Sequence, residues 1–129
     1  MTRAYLCVMI AGLMPILWAG IGKVLGRFQI KEDNKAPRAF FSKASGKAQR
    51  ANWAQLNSWE SFAPFAAAVI IAYQAGVRGR QIDQAATVFI VARALYGITY
   101  IFDWASARTI VYIVGIAANL SLYAMVYTR

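Results

Sequence analysis

The sequence predicts an all-α integral membrane protein, a bundle of four helices that each cross the bilayer. Three observations predict it. The 129 residues are 60% hydrophobic and only 15% charged, whereas soluble domains are nearer ~45–50% apolar and ~25% charged. A soluble chain of this size has too little interior to hide so much apolar surface. The apolar residues fall into four runs of roughly 20, the length needed to span a ~30 Å hydrocarbon core. Half of the 14 basic residues (Arg27, Lys31, Lys35, Arg38, Lys43, Lys47 and Arg50) gather between the first two runs. That is the distribution of a cytoplasmic loop beside anionic lipid. The whole chain, 1–129, reads as a single domain.

The first span is 5–25. Arg3 precedes it, as in a secretory signal, but the apolar run is too long for a signal core and is read as an uncleaved span. Pro15 predicts a kink. Gly12, Gly20, Gly22 and Gly26 offer flat surfaces for close helix contact. Lys23 and Arg27 stand where long side chains snorkel to the interface. Residues 28–49 are polar and basic, with Pro37, Ser42, Ser45 and Gly46 and no sustained apolar period, so they are expected to be largely irregular. Phe40 and Phe41 interrupt the charges and are read as an interfacial anchor.

The second span is 50–75. Its first half carries a polar stripe: Arg50, Trp53, Asn57, Glu60 and Pro64 step by three and four residues and share one helix face. Glu60 lies about 15 Å past Arg50 along the helix, roughly half the depth of the hydrocarbon core. A bare carboxylate there costs several kcal/mol, so it needs a partner or a proton. A tight turn, Gly76–Gln81, leads to the third span, 82–103, with Arg93 near its centre and Tyr96 and Tyr100 after it. A short connection leads to the fourth span, 108–127. Basic residues are more numerous on the side of the first and third loops, so the first loop is expected in the cytoplasm and both termini opposite.

Composition narrows the chemistry. The single cysteine, Cys7, excludes an internal disulfide and reads as a small packing residue. The absence of histidine removes His-based triads and His-ligated metal sites, and no metal ligand set is expected. The net charge of +9 raises nucleic acid as a partner; its concentration in one loop between apolar runs argues for topology and lipid contact instead. Four spans without an acidic ladder or an internal repeat argue against a transporter.

The partner for Glu60 is then sought on the neighbouring span. Arg93 lies ten residues from the end of the third span, as Glu60 lies ten from the start of the second. On antiparallel neighbours the two reach similar depth, and a Glu60–Arg93 pair is expected. The pair can set helix register, take part in a ligand site, or do both. Arg93, Tyr96, Tyr100 and Asp103 continue one face, Arg108 and Tyr112 step by four, and Asn119 follows on the same side. Asn57, Glu60, Arg93, Tyr96, Tyr100, Arg108 and Tyr112 are expected to converge in the cytoplasmic half of the bundle. Fixed positive charge with several hydroxyls suits a polar, carboxylate-bearing ligand.

The spacing Arg50-x-x-x-Ala54-x-x-Asn57-x-x-Glu60-x-x-x-Pro64-Phe65, then Arg93-x-x-Tyr96-x-x-x-Tyr100, then Arg108-x-x-x-Tyr112, resembles the MAPEG family, the membrane-associated proteins in eicosanoid and glutathione metabolism, in a bacterial-type form. The resemblance implies a homotrimer with sites between protomers, glutathione as co-substrate, and transferase or peroxidase chemistry on lipophilic electrophiles or lipid hydroperoxides. It implies glutathione contacts at Asn57, Glu60, Tyr96, Tyr100, Arg108 and Tyr112, with Arg93 paired to Glu60. Arg108 would stabilise the thiolate and Tyr112 would donate a second hydrogen bond to the sulfur, since a nearby cation lowers a thiol pKa and the thiolate is the nucleophile. A basic contact from the first span would be Lys23 or Arg27. Trp53 and Leu56 stand where some members carry further arginines. The implied setting is a bacterial inner membrane, with lipids and a lipophilic substrate as partners. The alternative is a non-catalytic membrane scaffold or lipid-binding protein of the same fold.

Overall fold

The computed structural model describes residues 1–129. Four long helices form: α1 (Arg3–Leu25), α4 (Gly46–Gln74), α5 (Arg80–Ile101) and α6 (Ala105–Tyr127). Two short ones, α2 (Ile30–Asp33) and α3 (Pro37–Lys43), lie between α1 and α4. α1 starts where the Thr2 side chain accepts from the Tyr5 N–H, capping one of the first turn's free donors. Pro15 sits inside α1 without ending it.

Cross-helix hydrogen bonds fix which ends lie together. Arg50 Nε donates to the Ile101 carbonyl at 2.9 Å, so α4 begins beside the end of α5. The guanidinium satisfies one of the carbonyls that every helix leaves free at its C-terminus. At the opposite end, Asp83 accepts the Ala4 N–H at 2.8 Å, Arg78 donates to the Tyr73 carbonyl at 2.6 Å, and Arg129 donates to the Ala75 carbonyl. Both termini therefore share one end with the turn before α5. The loops after α1 and α5 share the other, an up-and-down layout.

The inward face of α4 is a row of small residues, with Ala48, Ala51, Ala54 and Ser58 all buried. They let α1 come close: a Cβ added at Gly22 would lie 3.4 Å from Ala51 Cβ, and one at Gly26 would lie 3.2 Å from Ala48 Cβ. Gly12 is likewise in contact, with Phe62, but Gly20 faces open space and has no packing role. Further along, Phe65 stacks on Phe89 with ring centroids 3.9 Å apart, joining α4 to α5. Trp18 of α1 lies directly over Gly97 of α5, where any side chain would collide with the indole. α1 packs chiefly on α4, and α6 on α5. α1 and α6 do not touch, so α4 and α5 form the middle of the bundle.

One expectation for residues 28–49 is corrected. The segment is not largely irregular: it holds α2 and α3, and α4 starts at Gly46, four residues before the expected span. Pro37 opens α3, where its missing N–H costs nothing. Phe40 and Phe41 both turn toward α1. They pack on the flat surface of α1 at Gly26 and Gly22, with Phe28 edge-on to Phe40 at 5.0 Å. Glycine leaves room that an aromatic ring fills.

Only 28 of 129 residues are buried, too few to hide the apolar content. Leu13, Ile16 and Leu17 on α1, and Ile110, Ile113 and Leu120 on α6, point outward. Such faces are incompatible with water and compatible with acyl chains. α1, α5 and α6 are each long and apolar enough to cross a membrane. α4 is the longest helix but is not among them, because its polar stripe dilutes its first half.

Candidate functional site

Three cavities meet at one side chain, Asn57. Asn57 sits on α4 three residues after Ala54 of the small-residue row, and its amide meets Arg93 of α5. The first cavity, about 280 Å³, is lined by Asn57, Tyr96, Arg108, Thr109 and Tyr112. The second, about 300 Å³, is a groove along Trp53, Leu56, Asn57, Glu60, Tyr96 and Tyr100. The third, about 190 Å³, lies deeper, with Asn57, Glu60, Ser61, Arg93, Tyr112 and Asn119 as its polar wall.

Arg93 is the buried charge of the site, with 4% of its surface exposed. It donates to Asn57 Oδ1. Its guanidinium also lies 4.4 Å over the ring of Tyr96, a cation–π contact of order 0.5–2 kcal/mol. Asn57 in turn donates from Nδ2 to Glu60 Oε2 at 3.4 Å. The expected direct Glu60–Arg93 pair is therefore corrected: the acid and the guanidinium line one cavity, but Asn57 stands between them. An amide suits that position because it accepts at one end and donates at the other. Pro64, one turn beyond Glu60, has no N–H to give the Glu60 carbonyl, so this part of α4 keeps an extra acceptor.

Tyr96 joins α5 to α6. It is buried, edge-on to Tyr100 at 5.5 Å and tilted against Tyr112 of α6 at 5.8 Å. Tyr100 lies under Arg108, whose guanidinium carbon is 4.4 Å from the ring centroid, and against Trp53 at 5.9 Å. Arg108 stands in the first turns of α6, which starts at Ala105 with no side-chain cap. The free N–H groups of that turn, the positive end of the helix dipole and the Arg108 guanidinium all favour an anion at this mouth. Thr109 spends its proton on the Ala105 carbonyl at 3.1 Å, so its oxygen faces the cavity as an acceptor.

The sequence-predicted residues Asn57, Glu60, Arg93, Tyr96, Tyr100, Arg108 and Tyr112 thus all line this connected space. Arg50 does not: it caps α5. Asp103 falls in the turn after α5 at a left-handed φ of 58°, and the stripe ends at Tyr100. Lys23 rests over Phe28 at 4.6 Å, and neither it nor Arg27 lines the three cavities. Ser61 and Thr109 join the walls without having been singled out; each directly follows a predicted residue, Glu60 and Arg108, and that adjacency was the available signal. Two buried polar atoms of the deep cavity have no protein partner, Arg93 Nε and Asn119 Oδ1. Each leaves about 1–3 kcal/mol unrecovered unless something else fills the gap.

The family model described as MAPEG matches residues 3–128, nearly the whole chain. No curated protein and no solved structure matches it.

Proposed function

The chain belongs to the MAPEG family, and from that premise we infer a membrane-bound glutathione-dependent transferase or peroxidase acting on lipophilic electrophiles or lipid hydroperoxides. The observation that carries this reading is the convergence of three cavities on Asn57, with Arg93 on one side and Arg108 on the other. A tripeptide with two carboxylates and a thiol calls for that combination of fixed cations, amide and phenols. Arg108, at the anion-favouring start of α6, holds the thiolate, and Tyr112 donates to the sulfur. Asn57, Glu60, Arg93, Tyr96 and Tyr100 hold the peptide. The electrophile arrives from the lipid along the apolar groove walls.

In this reading α4 also crosses the membrane, which makes four spans with α1, α5 and α6. Trp53, Leu56, Trp59 and Glu60 are exposed on the isolated chain at membrane depth, and a homotrimer covers them with neighbouring copies. The basic first loop faces the cytoplasm of a bacterial inner membrane, so the site opens toward cytosolic glutathione.

Isothermal titration of glutathione into purified protein tests the reading. Saturable binding at or below millimolar ligand supports it, and its absence removes it. One observation favours the alternative, a non-catalytic scaffold or lipid-binding protein: Arg93 and Arg108 already rest on aromatic rings, and Trp53 and Leu56 give the groove an apolar wall. Retained lipid without glutathione binding would select that alternative.

A further inference from the structure

A cavity of about 440 Å³ lies at the end of the bundle away from Arg108. Arg78, Gln81, Thr128 and Arg129 form its polar wall, and Val77 and Met125 its apolar one. Both guanidiniums are held by the end of α4. Arg78 donates from Nη1 to the Tyr73 carbonyl at 2.6 Å and lies 4.9 Å over the Tyr73 ring. Arg129 donates from Nη1 to the Ala75 carbonyl and fills the space that Gly76 leaves open, where a Cβ would collide with it. In each arginine only Nη1 has a protein acceptor, so Nε and Nη2 remain free to donate. No carboxylate side chain lines the cavity. The one acidic residue at this end, Asp83, accepts the Ala4 N–H instead. Two cations therefore stand side by side, fixed in place and without a counter-charge from a side chain.

Depth identifies the anion. Thr128 lies roughly 30 Å beyond Arg108 along α6, at ~1.5 Å per residue, which is the thickness of the hydrocarbon core. The cavity thus stands at the membrane face opposite the Arg108 mouth, at the level of lipid phosphates. Ile116, Leu120 and Ala124 step by four toward Thr128, and all three are exposed, so an apolar track leads along α6 to the cavity. We propose that this cavity holds the phosphate group of an anionic phospholipid, gripped by Arg78 and Arg129, with an acyl chain lying along α6. A phosphate offers enough acceptor oxygens for both guanidinium forks. A headgroup with its own cation would bring a third positive charge beside the two arginines, so the anionic lipid is preferred. The site does not rest on the proposed glutathione chemistry. It differs from the basic first loop, whose charges lie at the other face. Bound lipid would tie together the end of α4, the start of α5 and the end of α6.

Native mass spectrometry of the intact, delipidated protein tests the site, with phosphatidylglycerol, phosphatidylcholine and glycerol 3-phosphate as probes. The first phosphatidylglycerol should bind at least ~tenfold tighter than phosphatidylcholine, the scale of two arginines at a lipid surface. Equal affinities overturn the proposal, and that arm depends on no variant folding. Thr128→Glu sets a carboxylate in the cavity while leaving both arginines on their carbonyls, and it should weaken that first binding step at least ~tenfold. Lys35→Glu, in the basic first loop, should change it less than ~twofold. Wild-type affinity in Thr128→Glu, or an equal loss in Lys35→Glu, places the lipid elsewhere and overturns the proposal. Amide exchange locates the lipid: phosphatidylglycerol, and not phosphatidylcholine, should slow exchange across 76–81. Unchanged exchange there overturns the site. Glycerol 3-phosphate binding as tightly as the lipid would make the ligand a soluble phosphate and overturn the lipid assignment.

Discussion

Arg93 on α5 is bound to Asn57 on α4 and reaches Glu60 only through that amide. One neutral side chain therefore connects a buried cation to an acid three residues further along α4 and stands where all three cavities meet. Its replacement should disturb stability and ligand binding together.

Asn57→Leu keeps the approximate volume and removes both ends of the bridge. Arg93, 4% exposed, then loses its only side-chain hydrogen bond. The expected loss is about 1.5–3 kcal/mol, the range for hydrogen bonds to charged groups. Asn57→Asp keeps a partner for Arg93 but sets a second carboxylate beside Glu60, so its stability should fall between that of Asn57→Leu and the wild type. Equilibrium unfolding in detergent would rank the three proteins.

Arg108→Ala should lower glutathione turnover by roughly 10²–10³-fold, the scale for losing one group that stabilises developing charge, with affinity changed only a few-fold. Arg108→Lys should recover part of the rate. A lysine keeps the charge but cannot lie flat on Tyr100 as the guanidinium does at 4.4 Å. Steady-state kinetics beside calorimetric affinities separates the two quantities. Equal kcat in wild type and Arg108→Ala would remove the assigned role while leaving the fold intact.

Gly97 admits no side chain, because Trp18 occupies the position of its Cβ. Gly97→Ala should cost about 1–3 kcal/mol through overpacking. Gly20, also helical, faces open space, so Gly20→Ala should be neutral or stabilising by up to ~1 kcal/mol. Thermal unfolding of the pair tests whether α1 meets α5 through Trp18.

Arg50→Met should release the end of α5. The Ile101 carbonyl would lose its donor and the start of α4 its tie to α5, costing about 1–3 kcal/mol. The turn at Phe102–Trp104 should become more open to proteolysis and amide exchange, while the turn before α5, held by Arg78 and Arg129, stays protected.

Much of the molecule was legible in the chain itself. Runs of apolar residues set three of the four long helices, α1, α5 and α6, since helix formation and apolar character are local properties of some 20 residues. Helical spacing placed Asn57, Glu60, Arg93, Tyr96, Tyr100, Arg108 and Tyr112 on faces that do converge. Spacing of this kind fixes depth to about 1.5 Å per residue and fixes a face to within part of a turn. It cannot fix which of two neighbouring side chains comes within the ~3 Å that a hydrogen bond demands.

That choice depends on how far each helix is rotated and how closely it approaches its neighbour. The small residues Gly22, Gly26, Ala48 and Ala51 set that approach between α1 and α4, and Trp18 on Gly97 sets it between α1 and α5. Only the packed structure could therefore give Arg93 to Asn57 instead of Glu60, set Arg50 on the end of α5, and fold Phe40 and Phe41 onto α1. Sequence determined which residues share a depth and a face; contact geometry between helices, acting over a few ångströms, decided which of them are partners.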